Sequence, residues 1–585
     1  MEKTISEVFA PEDAATEGLN AVTEEDVRRA EDERKSYRES KKSLEDRIVA
    51  EEKAWRLKLY DGKKTADPTR GSAYMWSSVV AKHADMMDNY PEPVFLPREE
   101  SDSEEAKKLS SIVPVILDRN DFEAVYSDSE WYRIKHGTSC IGVFWDPSSS
   151  DGRGDIAVRN IDLLNVFYKS GIKDIQESPN LFICAECDRD AVKAEYPFAS
   201  LPVTGADALS DYDSDEKKDK TKSVLVVDWY YKKRVNGKTV VHLCKYSGGE
   251  ILYASENDPY LREKGFYEHG LYPVVFNTLY PEEDSCTGYG LIAVSINAQL
   301  YIDELDSLMM SYAKTALTPR WFAKKSAGIN RAQYEDKGSS IVEVEGDIDS
   351  EKLKQITVNP ISPIYFNILE RKIDELKETT GNRDVNSGGV TGGVTSGAAI
   401  ATLQEAGNKT SRDAIKADYR AYVKVIRLVL ELIRQFYTDE RVFRITDPND
   451  GVSFISYSNG ALMPRALTIG GEPVLSYSGE AIKRKPVFDI VVKAEKNNPF
   501  SRLSQNETAA QLYKMGAFNP ETADQALIML SMMDFEGKEE IVSKVAAAAG
   551  EYKKSTEIMN EGQMPVSYPD TLLKRRAQAA REAVL

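Results

Sequence analysis

Histidine is scarce in this sequence: His83, His136, His242 and His269 are the only four in 585 residues. None lies in an HExxH or beside a nucleophile in a GxSxG setting. Histidine is the commonest general base, so its scarcity argues against an enzyme. Cysteine is almost as sparse. Cys140, Cys184, Cys187, Cys244 and Cys286 make an odd set of five, and a chain this long needs no disulfide staples, which points to the reducing cytoplasm. No run approaches 18 uninterrupted apolar residues, so no membrane-spanning helix is expected. Met1 to Asn20 has no charged-then-apolar secretory pattern. A basic excess is missing too: 76 Lys and Arg face 95 Asp and Glu, a formal net charge of −19. That argues against the usual tight DNA binder, which works by neutralising phosphates. It leaves open a protein past which DNA slides, and simple solubility explains the charge as well.

What is present reads as an α+β protein of about three or four units. Thr23 to Tyr60 lacks Gly and Pro and is dense in charge, and Thr23 with Asp26 resembles a helix cap. Val27, Ala30, Tyr37, Leu44, Ile48, Trp55 and Leu59 mark a thin apolar stripe, so this helix must lie on something else. From about Arg119 to Val275 the character is of strands, with candidates at Ser139–Asp146, Asp155–Arg159 and Leu181–Cys187. Ser223–Arg234 and Lys238–Lys245 flank Asn236-Gly237, a strong hairpin signal. Gly288 to Leu317 predicts one long helix ended by Pro319, and Pro363 to Thr380 a second, bracketing a small insert with a strand candidate at Ser340–Glu345. Gly381 to Gly397 holds six Gly in seventeen residues. A long helix is expected from about Ala398 to Tyr437 on the face Ile400, Leu403, Ile415, Tyr419, Tyr422, Ile426 and Val429. Strands return between Arg441 and Ala494, and the last ninety residues read as helical.

The familiar chemical motifs are incomplete. The loop Gly388–Gly397 has no Lys-Ser or Lys-Thr to close a phosphate cradle. Asp211, Asp213 and Asp215 alternate like calcium ligands, but Glu216 stands where Gly is required and Lys222 where the bidentate Glu belongs. Cys184 and Cys187 sit in a predicted strand, where residues three apart face opposite sides. With His242 and Cys244 a four-ligand zinc site is conceivable, yet a solvated or structural role is the plainer reading for each group. Asp303, Glu304 and Asp306 are the carboxylates a metal-dependent nuclease would use, although an acidic face of a helix explains them better. No catalytic residue, metal or cofactor is expected.

The order of parts, together with TPRWF at Thr318–Phe322, KIDELKETTGNRD at Lys372–Asp384, LQEAG at Leu403–Gly407, EKNNPFSRLSQ at Glu495–Gln505 and NPETADQALIMLSMMDFEG at Asn519–Gly537, resembles the portal (head-to-tail connector) proteins of tailed bacteriophages, those of long-tailed phages in particular. The resemblance covers nearly the whole chain and is weakest before about Thr65 and near Asp211. It implies a portal fold: a charged helical region at 1–64, a mixed α/β wing at 65–287, a stem helix at 288–318, a small α/β clip at 319–362, a second stem helix at 363–380, a tunnel loop at 381–397, the long helix and wing strands at 398–498 and a helical crown at 499–585. It further implies a head-to-tail ring of about twelve subunits at one capsid vertex. At −19 per chain the ring would carry on the order of −230 before screening, and duplex DNA inside it would find few lasting phosphate partners.

By the same resemblance Asn382, Arg383, Asp384, Asn386, Thr391 and Thr395 are expected nearest the DNA, and Asp303, Glu304 and Asp306 would face the channel from the stem. Arg320, Trp321, Lys324, Lys325 and Arg331 would give the clip a basic surface for the terminase motor and later the head–tail adaptor. The major capsid protein or scaffold completes the expected partners, with no membrane, and assembly is expected in the host cytoplasm before incorporation into the virion. A metal-dependent DNA-processing enzyme and a cellular scaffold protein are the alternatives.

Overall fold

The structure is a computed structural model. It describes residues 21–60, 71–201, 209–213, 222–317, 320–323, 353–356, 359–381, 409–446, 452–466, 483–495, 523–532 and 541–550, with a few isolated positions and residue pairs besides. Two compact units divide the chain, Met1–Glu495 and Lys496–Leu585.

In the first unit helix α1 (Glu24–Trp55) begins where the sequence places it. Thr23 Oγ1 accepts from Asp26 N at 3.4 Å and Asp26 Oδ2 accepts from Thr23 N at 2.9 Å, a reciprocal cap. Val27, Ala30, Tyr37 and Ile48 of the expected stripe are buried, and the helix lies on a five-stranded antiparallel sheet in the order β4 (Val166–Tyr168), β5 (Asn180–Asp188), β6 (Ser223–Val235), β7 (Lys238–Ser247), β8 (Glu250–Ala254). Arg34, Lys41, Glu45 and Glu51 are buried with that stripe. Lys41 Nζ donates to the carbonyls of Leu163 and Val166, and burial pulls its pKa down to about 8. Asn236 and Gly237 take φ of 49° and 80°, which closes the β6–β7 hairpin as expected.

A second sheet, β3 (Asp155–Ile161), β2 (Thr138–Asp146), β9 (Val274–Thr278), packs on a helical layer. Here the strand-like reading after Arg119 needs correction. Phe122–His136 is a helix, α4, preceded by α2 (Tyr74–Met87) and α3 (Ser103–Arg119). Its buried residues include Phe122, Tyr126, Ser129, Glu130, Arg133 and Ile134, a helical period with polar members, so counting apolar residues alone conceals it.

Two antiparallel helices, α5 (Leu291–Leu317) and α6 (Pro363–Thr380), pack together. Between them strands β12 (Arg320–Ala323) and β13 (Leu353–Ile356) pair antiparallel, while Ser340–Glu345 lies outside the described residues. The long helix α7 is described over Lys409–Phe436, and Tyr422, Val425, Ile426, Val429 and Ile433 of it are core. Ile400 and Leu403 lie outside the described residues. Strands β14 (Arg441–Thr446) and β15 (Val452–Tyr457) form a hairpin. β1 (Tyr90–Pro97) pairs along its length with the strand Phe488–Glu495, joining the two ends of the unit.

The first long helix starts at Leu291, three residues later than the sequence suggests, because Gly288 and Tyr289 pair with Tyr280 and Pro281. Gly137, at φ 91°, sits against this corner, and a Cβ there would stand 2.2 Å from Tyr289 C and 2.6 Å from Gly290 N. Backbone meets backbone, so neither side can yield. Gly137→Ala is expected to cost about 2–3 kcal/mol from strain and overlap together, read as a lower urea midpoint.

In the second unit, helix α8 (Ala523–Met532) packs Ala526 and Leu530 on Val545 and Ala549 of the helical residues 541–550. Helix is therefore present where the sequence suggests it.

Candidate subunit-contact and channel surfaces

Helix α5 has two unlike faces. Leu291, Ile292, Ser295, Gln299, Ile302 and Asp303 are buried at spacings of three and four. Across from them Val294, Tyr301 and Leu308, seven residues apart, are 45%, 57% and 61% exposed. Seven residues are nearly two turns, so the three form one apolar stripe along the helix. Its partner α6 is barer. Ile364, Tyr365, Phe366 and Ile368 are all exposed, and among its described residues only Leu376 and Thr380 are buried. Successive helical residues point about 100° apart, so 364, 365 and 366 face three directions. Covering them takes contacts from more than one side.

Asp303 was expected to face a channel and does not. It is 1% exposed, and its Oδ1 accepts from Ser72 N, Ser72 Oγ and Gln299 Nε2, each at 2.8 Å. Four residues from Gln299 and eight from Ser295, it shares their buried face. Its carboxylate therefore fixes α5 to the segment before α2. Glu304 and Asp306 are exposed. Arg320 and Trp321 stand on β12 opposite Ile356 and Gln355. Lys324, Lys325 and Arg331 lie outside the described residues, as do Asn382, Arg383, Asp384, Asn386, Thr391 and Thr395. The helix leading into that loop ends at Gly381, whose φ of 73° makes a left-handed cap.

The five cysteines are free. Cys184 packs with Phe182 and Cys244 in one cluster, while Cys187 lies against the cluster of Val192 and Val224. The two therefore face opposite sides of β5, as the strand period requires. His242 Nδ1 stands 3.1 Å from Ser255 Oγ. Among the described residues no group of three or more His, Cys, Asp or Glu is placed to hold a metal ion, and no helix is long and apolar enough to cross a membrane.

The charged clusters inside the unit were not legible as sites. One surrounds His136, whose Nδ1 lies 3.1 Å from Glu51 Oε2 and whose Nε2 lies 3.3 Å from Glu52 Oε2. Burial would raise the Glu52 carboxyl, but hydrogen bonds from His136 and Lys135 hold it down at about 2. A pocket of about 330 Å³, lined by Glu52, Tyr132, Lys135, His136, Asp162 and Tyr212 among others, opens beside it. The other cluster joins α4, β9 and α7. Arg133 donates to Glu130 Oε2 at 2.7 Å and to the Ala414 carbonyl at 2.7 Å. Asn277 Nδ2 reaches Asp418 Oδ1 at 2.7 Å and Glu130 Oε1 at 3.2 Å, and Tyr126 donates to Asp418 Oδ2 at 2.8 Å. The signal in the sequence was Glu130 and Arg133 three apart on the buried side of a helical period.

Exposed apolar residues on both helices of a pair are the kind of surface that meets other chains. Residues 83–583 match the family model described as phage P22-like portal protein, and the chain belongs to that family. No curated protein matches it. The family assignment makes it a structural component of the phage capsid vertex, a ring for DNA packaging and head–tail joining. The description does not specify tail length, so it does not extend to the long-tailed type. The nuclease and cellular-scaffold readings have no support.

Proposed function

We propose that about twelve copies close head to tail into the ring, with α5 and α6 as its stem. The observation that carries this reading is the apolar surface that a single chain leaves bare on α5 and α6, from Val294 to Leu308 and over Ile364–Phe366. A head-to-tail contact covers two different sides of each subunit, which suits residues pointing three ways. On this reading 65–287 and 398–498 form the wing, 319–362 the clip and 499–585 the crown. Residues 381–397 are the tunnel loop, with Asn382, Arg383 and Asp384 nearest the DNA. Asp306, which points away from the stripe, faces the channel, where like charge keeps the duplex from sticking, and Glu304 lies beside the stripe between Tyr301 and Leu308. The clip, with Arg320 and Trp321, meets the terminase motor and then the head–tail adaptor, and the wing meets the capsid protein or scaffold. Free cysteines throughout suit assembly in the reducing host cytoplasm.

The test is the mass of the purified native particle. A species near twelve times 65.4 kDa with a central hole in negative stain is the expected result. A compact dimer at all concentrations would overturn it.

A further inference from the structure

Helix α7 is rooted in a set of buried charges that does not balance. Glu130, Arg133, Asp418 and Asn277 are each no more than 2% exposed. Two carboxylates share one guanidinium, and Arg133 reaches Glu130 directly while Asp418 is held by the neutral donors Tyr126 and Asn277. A second uncompensated carboxylate in such a place costs far more than a bound proton does. We propose that a proton held on Glu130, beside Asp418, latches the first described turns of α7, Ser411–Asp418, to α4 and β9, and that losing it releases this part of the long helix.

The geometry makes this a latch and not a mere ion pair. Asn277 donates to both carboxylates, so the pair spans β9, and Arg133 holds the Ala414 carbonyl one turn before Asp418. On the other side Lys82 Nζ donates to Ser411 Oγ at 2.9 Å, and Ser411 Oγ donates to Asp85 Oδ2 at 2.8 Å. The ties from Ser411, Ala414 and Asp418 therefore run to α2, α4 and β9. Burial pushes Glu130 up to about 8 despite Arg133, with Asp418 adding to the rise.

Of the other charged groups around the latch, Lys82 reaches its pH range only at the upper end and with the opposite sign. Burial lowers Lys82 to about 8, so it keeps its proton below that in closed and open states alike. His83, stacked on Trp131 at 3.8 Å, is lowered from 6.5 and titrates below that value. Tyr126 and Tyr280 are raised from 10.0 and stay neutral. Asp413 on α7 is exposed, and Glu51 and Glu52 serve Lys135 and His136 at the far end of α4. Between pH 6.5 and 8 the falling advantage belongs to Glu130. Its sign follows from a carboxyl raised in the closed state: closure is favoured in acid, and the advantage is lost as pH rises to about 8.

Hydrogen exchange of the full chain, read by mass spectrometry on peptides covering 413–422, tests this without needing the ring. After correction for the intrinsic base-catalysed rise, protection there should fall about tenfold per pH unit from 6.5 to 8. Glu130→Gln, which keeps the shape and cannot ionise, should flatten the profile, and Asp418→Asn should do the same by leaving Glu130 a single ion pair with Arg133. A flat profile in the unaltered protein overturns the latch, even if neither variant folds. So does an undiminished slope in a folded Glu130→Gln chain.

Discussion

Replacing Arg133 by Met is expected to lower the stability of the chain by about 3–5 kcal/mol, because it strips the cation from two buried carboxylates. Met fills a similar length, so packing is not the main loss. Arg133 has no exposed surface and donates both to Glu130 Oε2 and to the Ala414 carbonyl. Without it at least one carboxylate remains charged in the interior, and the Ala414 carbonyl loses its side-chain donor. Urea unfolding reads the loss directly. The double variant Arg133→Met with Asp418→Asn should recover much of it, a coupling of about 1–3 kcal/mol, since the second change removes the orphaned charge. If the double variant were as unstable as the sum of both changes, Arg133 would act through packing alone. The Arg98–Asp489 pair is the contrast. It is as short, 2.7 Å, but more than half exposed on both sides, and Arg98→Ala should leave the midpoint where it is.

The same cluster marks the boundary of what the sequence made legible. Long amphipathic segments with clean ends were readable: Thr23 with Asp26 fixes the start of α1, and Pro363 and Gly381 fix both ends of α6. The Asn236-Gly237 hairpin was readable because two positive φ angles demand those residue types. Helix α4 was not, since Glu130 and Arg133 occupy its buried face and look like solvent residues to any count of apolar periodicity. The three-residue error at Gly288 arises because Gly288 and Tyr289 pair with Tyr280 and Pro281, a bridge that helical periodicity does not encode. Asp303 failed for a related reason. Its neighbours on α5 predict an acidic helix face, but its partners Ser72 and Tyr60 lie over 200 residues away. Strand period, by contrast, correctly separated Cys184 from Cys187, because that argument depends only on the local backbone.

Two carboxylates on the bare stripe, Tyr301→Asp with Leu308→Asp, should abolish the ring while leaving the single chain folded. The two effects separate because the positions are 57% and 61% exposed in the isolated chain. An Asp there stays in water before assembly, so circular dichroism and the urea midpoint should match the unaltered protein. In a closed ring the stripe is covered once at every interface. Each contact then loses about 1.5–3 kcal/mol of apolar burial at Leu308 alone and must also desolvate two charges that have no partner. Losses of that size, repeated at every interface, multiply around a ring, since closure requires all contacts at once. Native mass spectrometry should therefore show the single 65.4 kDa chain in place of the large particle. Asp306→Asn, on the same helix but well round from the stripe, should still assemble. A ring that survives both aspartates would mean that neighbouring subunits meet elsewhere, and α5 and α6 would then have to bury their apolar surface against a different protein.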